Sequence, residues 1–371
     1  MYVLNKRFND FLQYYSVLPD CPIGIENIGN SCFINAVLRS LLSLPEFVDA
    51  INSEIVNIPA AAAINDDIDD IDEIQLTTTE LLLKNLNLIN KYVEFQFTNV
   101  YMMKSAIRQI WILTQLDQHR QHDAHEFLLS LFDKLPMCEN LFTVHLQNVL
   151  KCIRCQYAAI NQDKSLDICV APMDKVRNEL SPLLSPSASR SSYNLFNDFD
   201  NRKLSDCLKQ SFENEYIEDF KCEECKESGI LVSKRISALS PIVVICLMRF
   251  DYKDSSLTRY SKVMNPIKLS SRIVVPAELN FEQFCLKPAP MSMYRLSAVV
   301  SHHGSSPEYG HYICDAELKT PSLQIPHSEY QLHDGFRWYS FDDCDVREKS
   351  LTDILLDRQQ SAYILFYRKI T

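Results

Sequence analysis

Residues 24–42 read G-I-E-N-I-G-N-S-C-F-I-N-A-V-L-R-S-L-L. The run Asn27, Gly29, Asn30, Ser31 is turn chemistry, and an apolar helical pattern (Phe33, Val37, Leu38, Leu41, Leu42) follows it directly. Cys32 therefore falls at or beside the first position of a helix. The positive end of a helix dipole favours a thiolate, and the thiolate is the reactive form of cysteine. The buried periodic face holds that thiol in place. One cysteine so placed proves little, because free cysteines are among the most buried residue types and the chain has 13.

A chain of 371 residues is long enough for one elaborate domain or two ordinary ones. Its 46% hydrophobic and 23% charged residues are those of an ordinary globular protein. No run approaches about 18 uninterrupted apolar residues, so no membrane span or membrane partner is expected. The N-terminus, M-Y-V-L-N-K-R-F-N-D-F-L, lacks the apolar core of a signal peptide. A net charge of -11 argues against nucleic acid as the main ligand and suits either a solvated acidic surface or a basic partner. An odd number of cysteines without a secretory signal points to reduced thiols in the cytoplasm and/or the nucleus. Only six glycines occur, where average usage of about 7% would give roughly 26. Two, Gly24 and Gly29, precede Cys32, and two more, Gly304 and Gly310, flank a histidine cluster near the C-terminus.

Residues 24–135 read as mostly helical, interrupted by an acidic, threonine-bearing loop or insert at about 63–80. From about 141 the alternation is that of strands, as in L-F-T-V-H-L-Q-N-V-L-K-C and later P-I-V-V-I-C-L-M-R-F, H-Y-I-C-D-A, W-Y-S-F and A-Y-I-L-F-Y-R. Residues 181–203 are rich in serine and proline and read as a flexible insert. Helices first and strands later argue for an α+β fold rather than alternating α/β.

Cys152-Ile-Arg-Cys155 and Cys222-Glu-Glu-Cys225 are two C-x-x-C units. Each can present two thiolates to one metal from a tight turn, and two such units complete a closed, structural zinc site. Cys155 and Cys222 are 67 positions apart, so the metal would join the tips of two hairpins. Accidental spacing in a cysteine-rich chain is the competing reading. A redox dithiol is disfavoured because neither unit sits at a strand-to-helix turn.

A nucleophilic thiol needs a base, a group to orient that base, and donors for an oxyanion. The C-terminal third supplies S-H-H-G-S-S-P-E-Y-G-H-Y-I-C-D-A and then W-Y-S-F-D-D-C-D-V. His311 lies at a strand start, and Asp342 and Asp343 follow an aromatic strand that can pair beside it. A carboxylate on the far ring nitrogen would fix the tautomer and stabilise the imidazolium. Asn27, five residues before Cys32, is either an oxyanion donor or a plain turn asparagine; the residues alone leave both open.

These residues carry a resemblance. G-I-E-N-I-G-N-S-C-F-I-N resembles the cysteine box of the ubiquitin-specific proteases. Y-R-L-S-A-V-V-S-H-H-G with G-H-Y, W-Y-S-F-D-D-C-D-V and A-Y-I-L-F-Y-R resembles their histidine box. Q-H-D-A-H-E-F-L is similar to their Q-Q-D-A-x-E-F-L element. The two C-x-x-C pairs match the zinc site of their fingers, and L-M-R-F matches a recurrent palm strand. The elements occur in family order from about residue 23 to 368.

The resemblance implies an α+β, papain-like fold with a helical thumb (about 23–140), zinc-bearing β fingers (about 141–240, containing the insert 181–203) and a β-sheet palm (about 241–368), after a short extension at 1–22. It implies a cysteine-type deubiquitinase that hydrolyses the bond after the C-terminal glycine of ubiquitin through an acyl-enzyme. Carried over by position, Cys32 is the nucleophile, His311 the base and later the acid, and Asp342 the orienting carboxylate. Asn27 takes the oxyanion role, and Asp343 supports the site through hydrogen bonds. Gln121 and Asp123 match positions that contact the ubiquitin tail, whose arginines give an acidic side chain a physical purpose. His302 and Tyr312 match positions lining a channel that admits only glycine. Cys152, Cys155, Cys222 and Cys225 would hold one structural zinc. Expected partners are ubiquitin, ubiquitinated proteins and an activating protein. Two departures occur: Arg39 stands where the family usually has glutamine, and His122 replaces a second glutamine. Other readings are a protease for another ubiquitin-like modifier, a non-catalytic ubiquitin-binding scaffold, which would usually lack a triad member, and a thiol acyltransferase, which would not explain the cysteine pairs.

Overall fold

The opening stretch folds as helix α1 (Cys32–Leu42), and all 11 of its residues are buried. The helix lies in the interior, and its polar residues Asn35, Arg39 and Ser40 are buried with the apolar ones. In this computed structural model α1 sits between a layer of helices and a large sheet, with Phe33, Val37, Leu38 and Leu41 in one cluster with side chains from both. The structure describes residues 22–58, 76–94, 99–172, 202–254, 264–287, 292–306, 309–319 and 335–370. The extension before residue 22, the acidic run 66–73 and most of the serine–proline insert 181–203 lie outside the described residues.

Five helices follow α1: α2 (Pro45–Val56), α3 (Thr78–Val93), α4 (Val100–Leu113), α5 (Ala124–Asp133) and α6 (Met137–Phe142). The stretch read as a loop to about residue 80 ends sooner, because Thr77 and Glu80 form a capping box that starts α3. The Thr77 side chain accepts from the Glu80 N–H, and Glu80 accepts from the Thr77 N–H.

Strands then take over: β1 (Val144–Cys152), β2 (Ala158–Ser165), β3 (Ile168–Val170) and β4 (Arg202–Lys203), then helix α7 (Leu204–Ser211), β5 (Glu215–Lys221), β6 (Ser228–Leu239) and β7 (Ile242–Leu247). Next come β8 (Phe250–Asp254), β9 (Met264–Lys268), β10 (Ile273–Val274), β11 (Glu278–Asn280), β12 (Met293–Ser306), β13 (Tyr309–Lys319), β14 (Phe336–Asp342), β15 (Asp345–Glu348), helix α8 (Leu351–Asp357) and β16 (Ala362–Lys369). Two sheets matter for the site. The larger runs β15-β14-β13-β12-β16-β7-β3, with β11 added on β12. The smaller runs β2-β1-β6-β5 and carries the four C-x-x-C thiols at one end.

The large sheet is covered on both faces, which explains the unbroken apolar run of β7. Ile242, Val244 and Cys246 point into the helical cluster around α1, while Val243, Ile245 and Leu247 point into a second cluster that includes α7 and α8 residues. The P-I-V-V-I-C-L-M-R-F run leaves the strand after Leu247, and Arg249 turns inward. Its guanidinium is fully buried and donates to the carbonyls of Ala362, Leu269, Ser271 and Gln359, tying three segments of the palm side together. The short β3 pairs parallel to β7, so the chain region from 141 to 240 contributes to the large sheet as well as to the small one.

Candidate active site and metal centre

Cys32 is the first residue of α1, and Ser31 precedes it as the N-cap. The turn before it is built by Asn27, whose Oδ1 accepts from the Gly29 and Ser31 N–H groups at 2.9 and 3.2 Å. Asn30 takes a left-handed conformation (φ 55°), as the short polar side chain of asparagine allows. The Cys32 side chain is 3% exposed and is hydrogen-bonded to His311. His311 comes from β13 and directs its other ring nitrogen, Nε2, to Asp342 Oδ1 at 2.5 Å at the end of β14. The three side chains come from a helix and two adjacent strands.

The electrostatics follow from this line of contacts. The hydrogen bond with Cys32 raises the His311 pKa, partial burial opposes it, and the bond to Asp342 adds to the rise; the result is about 9 against an ordinary 6.5. His311 is therefore an imidazolium at neutral pH, poised to give up a proton.

Asp343 joins the two halves of the site. It has a left-handed backbone (φ 52°). Its Oδ2 accepts from Asn27 Nδ2 at 2.9 Å and its Oδ1 from Asn35 Nδ2 at 2.7 Å. Its carbonyl accepts the Ile25 N–H at 3.0 Å. A Cβ on Gly24 would stand 2.2 Å from that same carbonyl oxygen, so only glycine lets the incoming chain lie this close. Asn35 and Ile25 are contacts that the sequence reading missed; their partner is 308 positions away in the case of Asn35, and no local pattern signals it.

A cleft of about 360 Å³ lies alongside, with Gln121, Asp123, Phe250 and Tyr363 among its lining residues. Asp123 is the N-cap of α5 and accepts from the His125 N–H at 2.7 Å. The Tyr363 hydroxyl donates to both Asp123 carboxylate oxygens at 2.7–2.8 Å. Burial raises the Asp123 pKa in spite of these donors. Gln121 Nε2 is buried without a partner. His302 and Tyr312 sit close by, ring centroids 4.6 Å apart, and His302 packs edge-on to Phe250. Both ring nitrogens of His302 and the Tyr312 hydroxyl lack partners. Burial, reinforced by Lys268, lowers the His302 pKa to about 3, so that ring is neutral. A Cβ on Gly310 would lie 2.2 Å from His302 Nε2, so the glycine beside His311 makes room for this ring.

At one end of the small sheet, Cys152, Cys155, Cys222 and Cys225 bring their sulfurs within 4.8 Å of one another. Cys152 Sγ to Cys225 Sγ and Cys155 Sγ to Cys222 Sγ are both 3.7 Å. That is far longer than a disulfide bond of about 2.05 Å. It is the edge length, about 3.8 Å, of a tetrahedron of sulfurs around a metal at about 2.3 Å. The two knuckles repeat one geometry. The Gln156 N–H bonds the Cys152 carbonyl and the Lys226 N–H bonds the Cys222 carbonyl, and both residues are left-handed (φ 66° and 63°). Backbone N–H groups of Cys155 and Arg154 directed at Cys152 bring its pKa down to about 6. The donor set and its spacing fit a tetrahedral metal.

Arg39, the departure on α1, is buried and its guanidinium stacks 4.2 Å above the Phe341 ring. Desolvation lowers its pKa to about 10, and it remains a cation. No described helix is long and apolar enough to cross a membrane.

Comparison with known proteins finds relatives along nearly the whole chain. Residues 23–367 match the family described as ubiquitin carboxyl-terminal hydrolase. The chain is 26% identical to ubiquitin carboxyl-terminal hydrolase 24 of Arabidopsis thaliana, covering 94% of this chain and 65% of the relative. It is 25% identical to human ubiquitin carboxyl-terminal hydrolase 3, covering 94% and 68%. It spans 29% of ubiquitin carboxyl-terminal hydrolase 36 of Drosophila melanogaster at 25% identity. The fold is similar to that of the SAGA Ubp8/Sgf11/Sus1/Sgf73 DUB module bound to ubiquitin aldehyde, with a TM-score of 0.68, 20% identity, and 100% of this chain and 75% of that chain covered.

Proposed function

We propose that this chain, which belongs to the ubiquitin carboxyl-terminal hydrolase family, is a thiol-dependent deubiquitinase that cleaves the bond after the C-terminal glycine of ubiquitin. The observation that carries the reading is the grouping of Cys32, His311 and Asp342 from three separate elements, with His311 Nε2 bonded to Asp342 and the ring's charge set chiefly by Cys32. Such a grouping is the minimum machinery for acyl transfer.

The chemistry follows from the atoms. The Cys32 thiolate attacks the carbonyl carbon of the terminal glycine. The developing oxyanion is met by the Cys32 backbone N–H, which lies in the first helical turn and so has no helical acceptor, and by Asn27 Nδ2, which keeps a second proton beyond the one given to Asp343. His311 protonates the departing lysine amine as the C–N bond breaks and leaves a thioester on Cys32. Neutral His311 then takes a proton from water as the water oxygen attacks the thioester; the C–S bond breaks to release the ubiquitin carboxyl group and the Cys32 thiolate, and the proton stays on His311, which restores the starting ion pair. Asp342 holds the ring and its charge through both steps. Asp343 is a positioning residue acting through Asn27 and Asn35.

The cleft suits the substrate tail. The unpartnered Gln121 amide can donate to an extended backbone, and the Asp123 carboxylate, oriented by Tyr363, faces the arginines of that tail. Neutral His302 and Tyr312 narrow the passage to glycine width. Zinc fits the four-cysteine cluster, where Cys152, Cys155, Cys222 and Cys225 would hold it; it would supply folding energy to the small sheet and no chemistry. The solved Ubp8 neighbours were assembled with Sgf11, Sus1 and Sgf73, and we extend this to an activating protein partner for the present chain, working where ubiquitin conjugates and reduced thiols coexist, in cytoplasm or nucleus.

The test is hydrolysis of a ubiquitin–lysine isopeptide by the purified full chain, beside matched conjugates of other ubiquitin-like modifiers. Preference for ubiquitin supports the reading. Cleavage of another modifier alone would replace ubiquitin as the substrate, and no cleavage of any, with the partner supplied, would leave the scaffold reading.

A further inference from the structure

A third cluster of ligating side chains lies outside both the triad and the fingers. A ring nitrogen of His125 and the sulfurs of Cys169 and Cys246 lie within 4.8 Å of one another. We propose that these three, with the Asp167 carboxylate beside them, form an exchangeable binding site for a thiophilic divalent metal of the zinc class in the wall of the cleft.

Three elements converge to make it. Cys169 on β3 and Cys246 on β7 are direct partners in the parallel register. His125, the second residue of α5, is fixed from behind by its N–H bond to Asp123. Asp167 Oδ2 lies 2.6 Å from His125 Nε2 and 3.3 Å from Cys169 Sγ, and its Oδ1 accepts from Ser165. A carboxylate paired with a histidine in this way orients the ring and raises its basicity, the usual support of a metal-ligating imidazole. Two thiolates and an imidazole are a donor set for zinc, copper or cobalt rather than for calcium or magnesium.

The cluster differs from the four-thiol site in its access. Cys246 is buried, but Cys169 is exposed and His125 is partly so. All three line the cleft together with Gln121, Asp123 and Tyr363. Three strong protein donors and a face open to the cleft describe a site that metal enters and leaves, whereas four closed thiols hold it. A divalent cation there would oppose a positively charged tail in the same cleft, so occupancy would slow turnover. The site itself stands on geometry alone and does not depend on the hydrolase reading.

The experiment is a titration of the full chain, fingers already loaded with zinc, with Co²⁺ as a chromophoric probe of thiolate ligation. One equivalent beyond the fingers should develop sulfur-to-cobalt absorption. Cys169→Ser, at an exposed position that tolerates the change, should abolish that signal and leave the finger metal in place. Asp167→Asn should weaken binding about 10- to 100-fold. Cys32→Ala should leave it intact, which separates the site from the triad thiol. The proposal is overturned if wild-type protein shows no such equivalent, if Cys169→Ser binds cobalt as wild type does, or if Cys32→Ala removes the signal. Should Cys169→Ser misfold, His125→Gln provides a second ligand deletion with the same expected loss.

Discussion

His311 is proposed to carry the chemistry because of what stands on either side of it. Cys32 on one nitrogen and Asp342 on the other keep it charged to about pH 9. The raised value belongs to the folded state, so its stabilising effect is complete below about 6.5 and is lost as the pH rises through about 9. Activity should fall over the same alkaline window, because the proton owed to the leaving amine is gone. Asp342→Asn should lower kcat on the order of 10⁴-fold and move the alkaline limb of the kcat/KM profile toward neutrality; an unmoved limb would show that Asp342 does not set the histidine. Asp343→Ala should act differently. It removes the acceptor of the exposed Asn27 amide and one of the two acceptors of the Asn35 amide, which keeps the Ile25 carbonyl, so it should cost only about 1 kcal/mol of stability by denaturant unfolding and lower kcat more than it raises KM. Cys32, His311 and Asp342 could be read from local motifs, each a turn or strand end with a reactive side chain. Asn35 and Tyr363 could not, because each does its work through a carboxylate hundreds of positions away, at Asp343 and Asp123.

At the scale of elements, the small sheet shows what spacing does and does not tell. Two C-x-x-C pairs announce four ligands, and the fold brings all four within reach of one centre. The sequence hides how the knuckles turn, since Gln156 and Lys226 occupy the left-handed positions where glycine would have been the signal. Val144, Leu146 and Ile236 anchor one end of the sheet in the larger core, but its metal-bearing end has only a minor buried cluster of Cys152, Cys222 and Ile230. Its order should therefore depend on the metal. Cys152→Ser or Cys225→Ser should remove one tightly held equivalent by elemental analysis and increase amide exchange in β1, β5 and β6 while the helices stay protected. Unchanged exchange in the small sheet after metal loss would contradict this dependence. The start of α3 was missed for a simpler reason: threonine and acidic residues read as loop, and only the three-residue spacing of Thr77 and Glu80 marks a cap.

Across the whole molecule, the proposed nucleophile Cys32 belongs to the helical layer, and His311 and Asp342 belong to the sheet. One continuous cluster, from Phe33 and Leu38 through Val244 and Val300 to Tyr312 and Cys314, joins the two layers. Phe33 is fully buried next to Cys32 and meets Trp111 and Phe127 edge to face, with centroids 5.5 and 5.6 Å away. Phe33→Ala should cost about 3–5 kcal/mol, and the loss of activity on heating should coincide with global unfolding. The order of helices before strands made the α+β class legible. The placement of β3 beside β7 was not, because a three-residue strand carries no periodicity of its own.

The central claim is that Cys32 is a nucleophile because this interface sets His311 against it. It is tested most directly by incubating the full-length, zinc-loaded chain with ubiquitin bearing a C-terminal electrophile and mapping the adduct by mass spectrometry. The account predicts one covalent ubiquitin per chain, attached at Cys32, absent in Cys32→Ala and strongly slowed in His311→Ala. A folded chain that stays unlabelled while a control enzyme reacts, or an adduct on any other of the cysteines, would contradict it.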